Sequence, residues 1–249
     1  MTRGMIIDLG KKKENRSFDK KPIIIGACPR TGTTLLLSIL SSYPQIYGIS
    51  RQSYAFTEWQ TIDNHLDPVR IDRLYRELIL KKIPNNNDRW CEKTPKNIQY
   101  LNEIFEYFGD SIKFIHLVRD GRDVVTSKHP KHTPDDYWVS PERWVRDTKR
   151  GLAFANHPNL ITVRYEDIIY DFDPLFQKIS DFLEIDFVPD KNEWIKQTTL
   201  KHSKHWGKPV QAIHSDAIKK WQRSEHKKRI DQFYQTPGAP ELLKELHYE

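Results

Sequence analysis

Ile23-Ile24-Ile25-Gly26-Ala27-Cys28-Pro29-Arg30-Thr31-Gly32-Thr33-Thr34-Leu35-Leu36-Leu37 passes from one apolar run to another through a loop of small and hydroxyl residues. The first three residues predict a buried strand. Leu35, Leu36, Leu37, Ile39 and Leu40 predict the helix that follows. A loop so placed presents backbone N–H groups and hydroxyls at the positive end of a helix, where an anion is favoured. A Walker nucleotide loop runs Gly-x4-Gly-Lys-Ser/Thr, its lysine reaching the terminal phosphates. Here Gly26 and Gly32 stand one residue further apart, Thr33 occupies the lysine position, and the positive charge sits inside the loop as Arg30. The stretch predicts an anion held in a manner unlike that of an ordinary ATPase.

Similar units recur outward from this point. Arg89 to Lys93 predicts a short strand before a helix from Pro95, with Ile98, Leu101, Ile104, Phe105 and Phe108 on its buried face. Lys113 to Val118 predicts another strand, closing on Arg119-Asp120-Gly121-Arg122-Asp123 and a helix bearing Val124 and Val125. Leu160 to Val163 predicts a third, followed by Arg164-Tyr165-Glu166-Asp167. Helices are also expected from Asp67-Pro68 and over 144–154, 173–184, 190–199, 225–235 and 239–247, whereas 46–66 has no clean periodicity. Strands alternating with helices imply an α/β class: a P-loop-like three-layer fold with a mainly parallel central sheet flanked by helices. Residues 1–20, polar and carrying Lys11-Lys12-Lys13, are expected to form a flexible basic arm. Residues 21–249 then make a single α/β domain.

A chain of 249 residues with 37 % apolar and 12 % aromatic residues can bury a full core. The net charge of +6 favours an anionic ligand or partner, although it cannot choose among them. No nucleic-acid motif accompanies it, so no nucleic-acid partner is expected. Two cysteines, Cys28 and Cys91, are too few for a disulfide framework or a thiolate metal cluster, and Cys28 reads as a small packing residue. No run approaches the ~20 apolar residues that cross a bilayer, and no secretory signal is seen. The cytoplasm is the expected compartment.

The second chemical constellation is Arg119 with Ser127, eight residues later on the following helix. Ligands of open α/β sheets bind beyond the carboxyl ends of strands, where an arginine offers a planar fork for phosphate. Together the two segments resemble the sulfotransferases that use 3′-phosphoadenosine 5′-phosphosulfate (PAPS). In that family a Pro-Lys/Arg-x-Gly-Thr-Thr loop holds the 5′-phosphosulfate and an Arg…Ser pair holds the 3′-phosphate. Pro29 to Thr34, and Arg119 with Ser127, stand at these positions. Cys91-x-Lys93-x-Pro95 brings the chain nearer to the bacterial and tyrosylprotein types.

The resemblance implies sulfuryl transfer from PAPS to an acceptor hydroxyl or amine by in-line displacement, without a metal, releasing 3′,5′-adenosine bisphosphate (PAP). It assigns Arg30, Thr31, Gly32, Thr33 and Thr34 to the phosphosulfate and Tyr165 to the adenine. Lys208 and Lys220 fall in a late basic segment that folds over the nucleotide. Arg30, always protonated, binds the leaving oxygen but donates a proton poorly, a role that passes to Lys93. Where the tyrosylprotein pattern has its glutamate base, Ser50-Arg51 stands here, and Glu58 is the substitute, ahead of His65 and His116. The acceptor stays open among a small molecule, glycan, lipid and peptide, as does the oligomeric state. Two rivals remain: an ATP–magnesium P-loop kinase, against which the missing loop lysine counts, and a non-catalytic polyanion-binding protein.

Overall fold

A computed structural model describes residues 1–128, 137–201 and 210–249. In chain order the elements are α1 (Arg3–Ser17), β1 (Ile23–Gly26), α2 (Thr33–Leu40), β2 (Ile46–Gly48), β3 (Trp59–Ile62), β4 (His65–Pro68), α3 (Ile71–Leu80) and β5 (Arg89–Lys93). A 3-10 turn at Pro95–Tyr100 leads into α4 (Leu101–Phe108), β6 (Lys113–Val118), α5 (Gly121–Val125), α6 (Pro141–Leu152) and β7 (Leu160–Arg164). Then come α7 (Tyr165–Tyr170), α8 (Phe172–Leu183), α9 (Trp194–Gln197), α10 (Lys227–Gln235) and α11 (Ala239–Glu245).

The central sheet runs β2-β5-β1-β6-β7, every pairing parallel. A parallel sheet is covered on both faces, which is why β1, β5 and β6 are buried throughout. Alternation divides the β1 side chains: Ile23 and Ile25 join the core under α2 and α8, while Ile24 joins Phe114, Ile98 and Leu101 on the opposite face. A third cluster, around Trp144, Val124 and Phe233, closes the β6 end with α5, α6, α10 and α11. The chain leaves β1 for the β2 side of the sheet and later returns to β6 on its other side, so a crevice opens at the carboxyl end of β1.

Three local expectations are revised. Residues 3–17, read as a loose arm, form α1, which lies on α3. Ile6 is buried, and Gly10 lets the Tyr75 ring approach so closely that a Cβ would stand 2.2 Å from it. Glu14 then accepts from Tyr75 Oη at 3.1 Å and Trp90 Nε1 at 2.6 Å. The aperiodic 46–66 stretch holds an antiparallel hairpin, β3–β4, turned by Asp63 and Asn64 at φ 48° and 63°, which these short polar residues tolerate. The helix expected over 190–199 is limited to α9, with Trp194 buried against the main core. Lys208 lies outside the described residues.

Candidate functional site

The loop from Ala27 to Gly32 is fixed before any ligand arrives. Ala27 N–H donates to Pro95 O at 3.0 Å, and Thr31 Oγ1 donates to Cys28 O. Arg30 and Gly32 adopt φ 71° and 102°. At Gly32 a side chain would be strained, and a Cβ would lie 2.4 Å from the Tyr165 ring. The loop therefore wraps tightly against the β7 end, and α2 starts without a side-chain cap, with Thr33, Thr34 and Leu35 of its first turn bordering the crevice.

Arg119 leaves the carboxyl end of β6, only 5 % exposed. Its guanidinium stacks 4.2 Å above the Tyr165 ring, donates from Nη1 to Arg30 O at 3.2 Å and from Nη2 to Ala217 O, and stands 3.9 Å from Asp123 Oδ2. Its buried Nε has no hydrogen-bond partner among the described residues. Asp123 in turn accepts Lys219 N–H at 2.8 Å and Trp221 N–H at 3.1 Å, pinning the late segment over α5. Burial raises the Asp123 carboxyl above its ordinary range, and Arg119 opposes that rise. Behind this, Arg122 grips Asp120, Tyr248 O and Glu249, while Glu166 accepts Asp120 N–H at 3.1 Å and Tyr248 Oη at 2.8 Å.

These elements border a cleft of about 750 Å³. Arg30, Gly32, Thr33, Thr34, Arg119 and Tyr165, all singled out in the sequence, line it together. Among its described lining residues there is no carboxylate; Lys96 and Arg143 add charge of the same sign. The cations crowd one another. Burial lowers the Arg30 pKa and Arg119 lowers it further. Burial, then Arg119, with Arg30 and Arg223 adding, brings Lys220 down to about 8. Lys93, 2 % exposed at the end of β5 and not among the residues that line the cleft, is also brought down to about 8, by its own burial, with Glu92 pulling the other way. Arg30, Arg119 and Lys220 together can hold a polyanion and can steady negative charge developing on a leaving oxygen.

The remaining candidates are placed otherwise. Thr31 is buried on its own loop carbonyl. Ser127, buried beyond α5, donates to Asp123 O at 2.8 Å. Glu58 is exposed before β3 and His65 is exposed on β4, and neither lines the cleft. His116 is fully buried in β6, near Thr162 Oγ1, and burial holds it neutral with a pKa of about 3.

Sequence reading missed Glu92. Fully buried on β5, it accepts Ser53 N–H at 3.1 Å, Ser53 Oγ at 2.9 Å, Thr94 Oγ1 at 2.6 Å and Asn97 Nδ2 at 2.8 Å. This hub fastens the 50–54 loop, and with it Gln52 and Tyr54, to the cleft wall. The available signal was a carboxylate between Cys91 and Lys93 in a strand otherwise fit for burial. Among the described residues no group of three or more His, Cys, Asp or Glu is arranged to hold a metal. No described helix is long and apolar enough to cross a membrane.

Known proteins bear on this geometry. Over 185 residues the chain is 27 % identical to a Caenorhabditis briggsae protein carrying the protein-tyrosine sulfotransferase name, covering 66 % of each. Against protein-tyrosine sulfotransferase A of Caenorhabditis elegans it is 23 % identical over 233 residues, 80 % of this chain and 60 % of the relative. The chain thus spans about two thirds of these relatives' length or less. Among solved structures, the sulfotransferase domain of the curacin biosynthetic pathway matches with a TM-score of 0.57 at 18 % identity, covering 88 % of this chain and 99 % of that one. A mouse sulfotransferase complexed with PAP matches with a TM-score of 0.54 at 18 % identity, covering 97 % and 95 %. At that identity the likeness shows the fold. The sequence model of the sulfotransferase family matches residues 48–190, more than half of the chain. The chain belongs to the sulfotransferase family.

Proposed function

We propose that this chain moves a sulfuryl group from PAPS to an acceptor hydroxyl or amine and releases PAP. The observation that carries the reading is Arg30 and Arg119 together on a cleft with no carboxylate among its described lining residues, with Lys220 near enough for both arginines to lower its pKa. A nucleotide with phosphates at both ends fits that demand, and the partnerless Nε of Arg119 gives a 3′-phosphate a donor not already engaged. PAP in the mouse structure supports the same choice.

In this reading the acceptor oxygen or nitrogen attacks sulfur in line, forming a new bond to it, while the S–O bond to the 5′-phosphate breaks and its electron pair stays on the phosphate oxygen. The loop N–H groups, Thr33, Thr34 and Arg30 steady that oxygen, and Lys93, buried at the end of β5 next to the loop strand β1 and protonated below pH 8, is the proposed proton donor once the bound nucleotide reaches it. The acceptor's proton needs a base on the cleft itself. Glu58 lies away from it, whereas His214 lines it, with Nδ1 3.6 Å from Asp216 Oδ2. His214 takes the proton. A thermal shift with PAP, run beside ATP–magnesium and beside Arg119→Ala, tests the donor assignment. A ligand at ~100 times its Kd adds ~2.7 kcal/mol of stability. A rise with PAP that the variant loses supports the reading; a preference for ATP–magnesium overturns it.

A further inference from the structure

The segments that follow β6 and β7 each divide their residues between two cavities. Arg119 and Tyr165 line the donor cleft, whereas the residue after each, Asp120 and Glu166, lines a separate cavity of about 340 Å³ behind them. The Arg119 guanidinium stacks 4.2 Å from the Tyr165 ring, so its aim depends on how the two backbones are held. Contacts on the rear side hold them. Glu166 Oε1 accepts Asp120 N–H at 3.1 Å, tying one segment directly to the other. Glu166 Oε2 accepts Tyr248 Oη at 2.8 Å, and Arg164 stacks 4.4 Å from the Tyr248 ring. Asp120 holds Arg122 through both carboxylate oxygens, and Arg122 donates to Tyr248 O at 3.1 Å and to Glu249 Oε1 at 2.8 Å. Residues 248 and 249 therefore grasp both segments at once: Glu166 through a hydroxyl, Asp120 through Arg122. Neither residue lines the donor cleft. Arg122 also stacks 4.2 Å from the Trp221 ring, in the late segment that Asp123 pins over α5.

We propose that Tyr248 and Glu249 are positioning residues of the donor site: from behind, they fix Arg119 over Tyr165 and so set the grip on the 3′-phosphate without touching the nucleotide. The assignment of the cleft to the donor is the reading this rests on. Hydrogen bonds to the charged Glu166, Arg122 and Glu249 fix direction as well as distance. Without the Tyr248 hydroxyl, Glu166 is free to turn away from Asp120 N–H. Without the Glu249 charge, Arg122 is held less firmly against Asp120. The segment carrying Arg119 then gains freedom that binding must remove, and affinity falls by that amount.

The test uses the full chain and begins without a ligand. In amide exchange followed by NMR, Tyr248→Phe/Glu249→Gln should speed exchange at Asp120 by roughly tenfold and leave β1 unchanged. A Glu245→Gln control, on the exposed side of α11, should alter neither. Calorimetric titration with PAP then reads the consequence: affinity falls about fivefold or more in the double variant and is kept by the control. Repeating the pair of substitutions in an Arg119→Lys background isolates the route, since residues that act through the Arg119 fork add little once the fork is gone. A merely structural role would speed exchange in β1 as well and weaken PAP equally in both backgrounds. Unchanged exchange at Asp120, unchanged PAP affinity, or an equal loss in both backgrounds overturns the positioning role and leaves the donor assignment standing. Failure of PAP to bind the wild type overturns the donor assignment, and this role with it.

Discussion

Replacing Lys93 by methionine should make the protein more stable and less active. The Lys93 ammonium sits 2 % exposed at the end of β5, and its pKa is held at about 8 instead of the ordinary 10.5. At ~1.4 kcal/mol per pH unit, keeping that charge inside costs roughly 3 kcal/mol at pH 7. Methionine has similar length and no charge, so it removes the cost. For a chain of this size the full recovery corresponds to a rise in Tm of about 6–12 °C, an upper bound because packing is not ideal. The pH course is the sharper test. Below pH 8 the wild type carries the whole penalty. Between pH 8 and 10.5 the folded lysine is neutral while the unfolded one still binds its proton, so wild-type stability climbs with pH. Above that range the penalty is gone and the two proteins converge. Chemical denaturation of both from pH 7 to pH 10.5 measures this. A variant less stable at pH 7, or a stability difference flat across the range, refutes the reasoning. On the proposed role of Lys93 as proton donor, sulfuryl transfer should also fall about a hundredfold or more.

The Lys220 pKa is lowered to about 8 beside Arg119 and Arg30, so PAP affinity should decline as pH rises through 8 and that charge is lost; calorimetry of Lys220→Met should show a shallower decline. His214→Asn should lower kcat about a hundredfold with little change in the KM for PAPS, measured with whichever acceptor turns over; unchanged kcat removes His214 as the base. Gly151→Ala places a Cβ 2.2 Å from the buried His116 ring and should cost about 1–3 kcal/mol of stability by urea denaturation, with wild-type stability arguing that α6 shifts freely.

The parallel sheet and the loop could be read from the chain because their signals are local: Ile23 to Ile25 and Lys113 to Val118 are apolar runs, and Pro29 to Thr34 has a fixed spacing. Arg30, Thr33, Thr34, Arg119 and Tyr165 duly meet on one cleft, since all follow the carboxyl ends of neighbouring strands. What escaped was carried by contacts distant in sequence. Helix α1 buries little beyond Ile6 and Gly10, so its polar pattern resembles a tail; what holds it is Glu14 reaching Tyr75 and Trp90. The β3–β4 hairpin is mostly exposed and lacks an apolar alternation. Glu92 and Asp123 look like ordinary strand and helix-cap carboxylates until Ser53 and the backbone of Lys219 and Trp221 are seen to bond to them.

Arg119 donates to carbonyls 89 residues before it and 98 residues after it. Closing loops of such length carries an entropic cost that the rest of the fold has to meet, as it does for the β1–β6 pairing of similar separation. The cleft therefore depends on the late segment, and detachment of residues 217–221 frees Arg119 Nη2 and Asp123 from their partners. A ligand bridging Arg30, Arg119 and that segment would tie three remote stretches into one cooperative unit. Hydrogen exchange should then slow in β1, β6 and residues 217–221 together, so that occupancy of the site is read in the kinetics of the whole molecule.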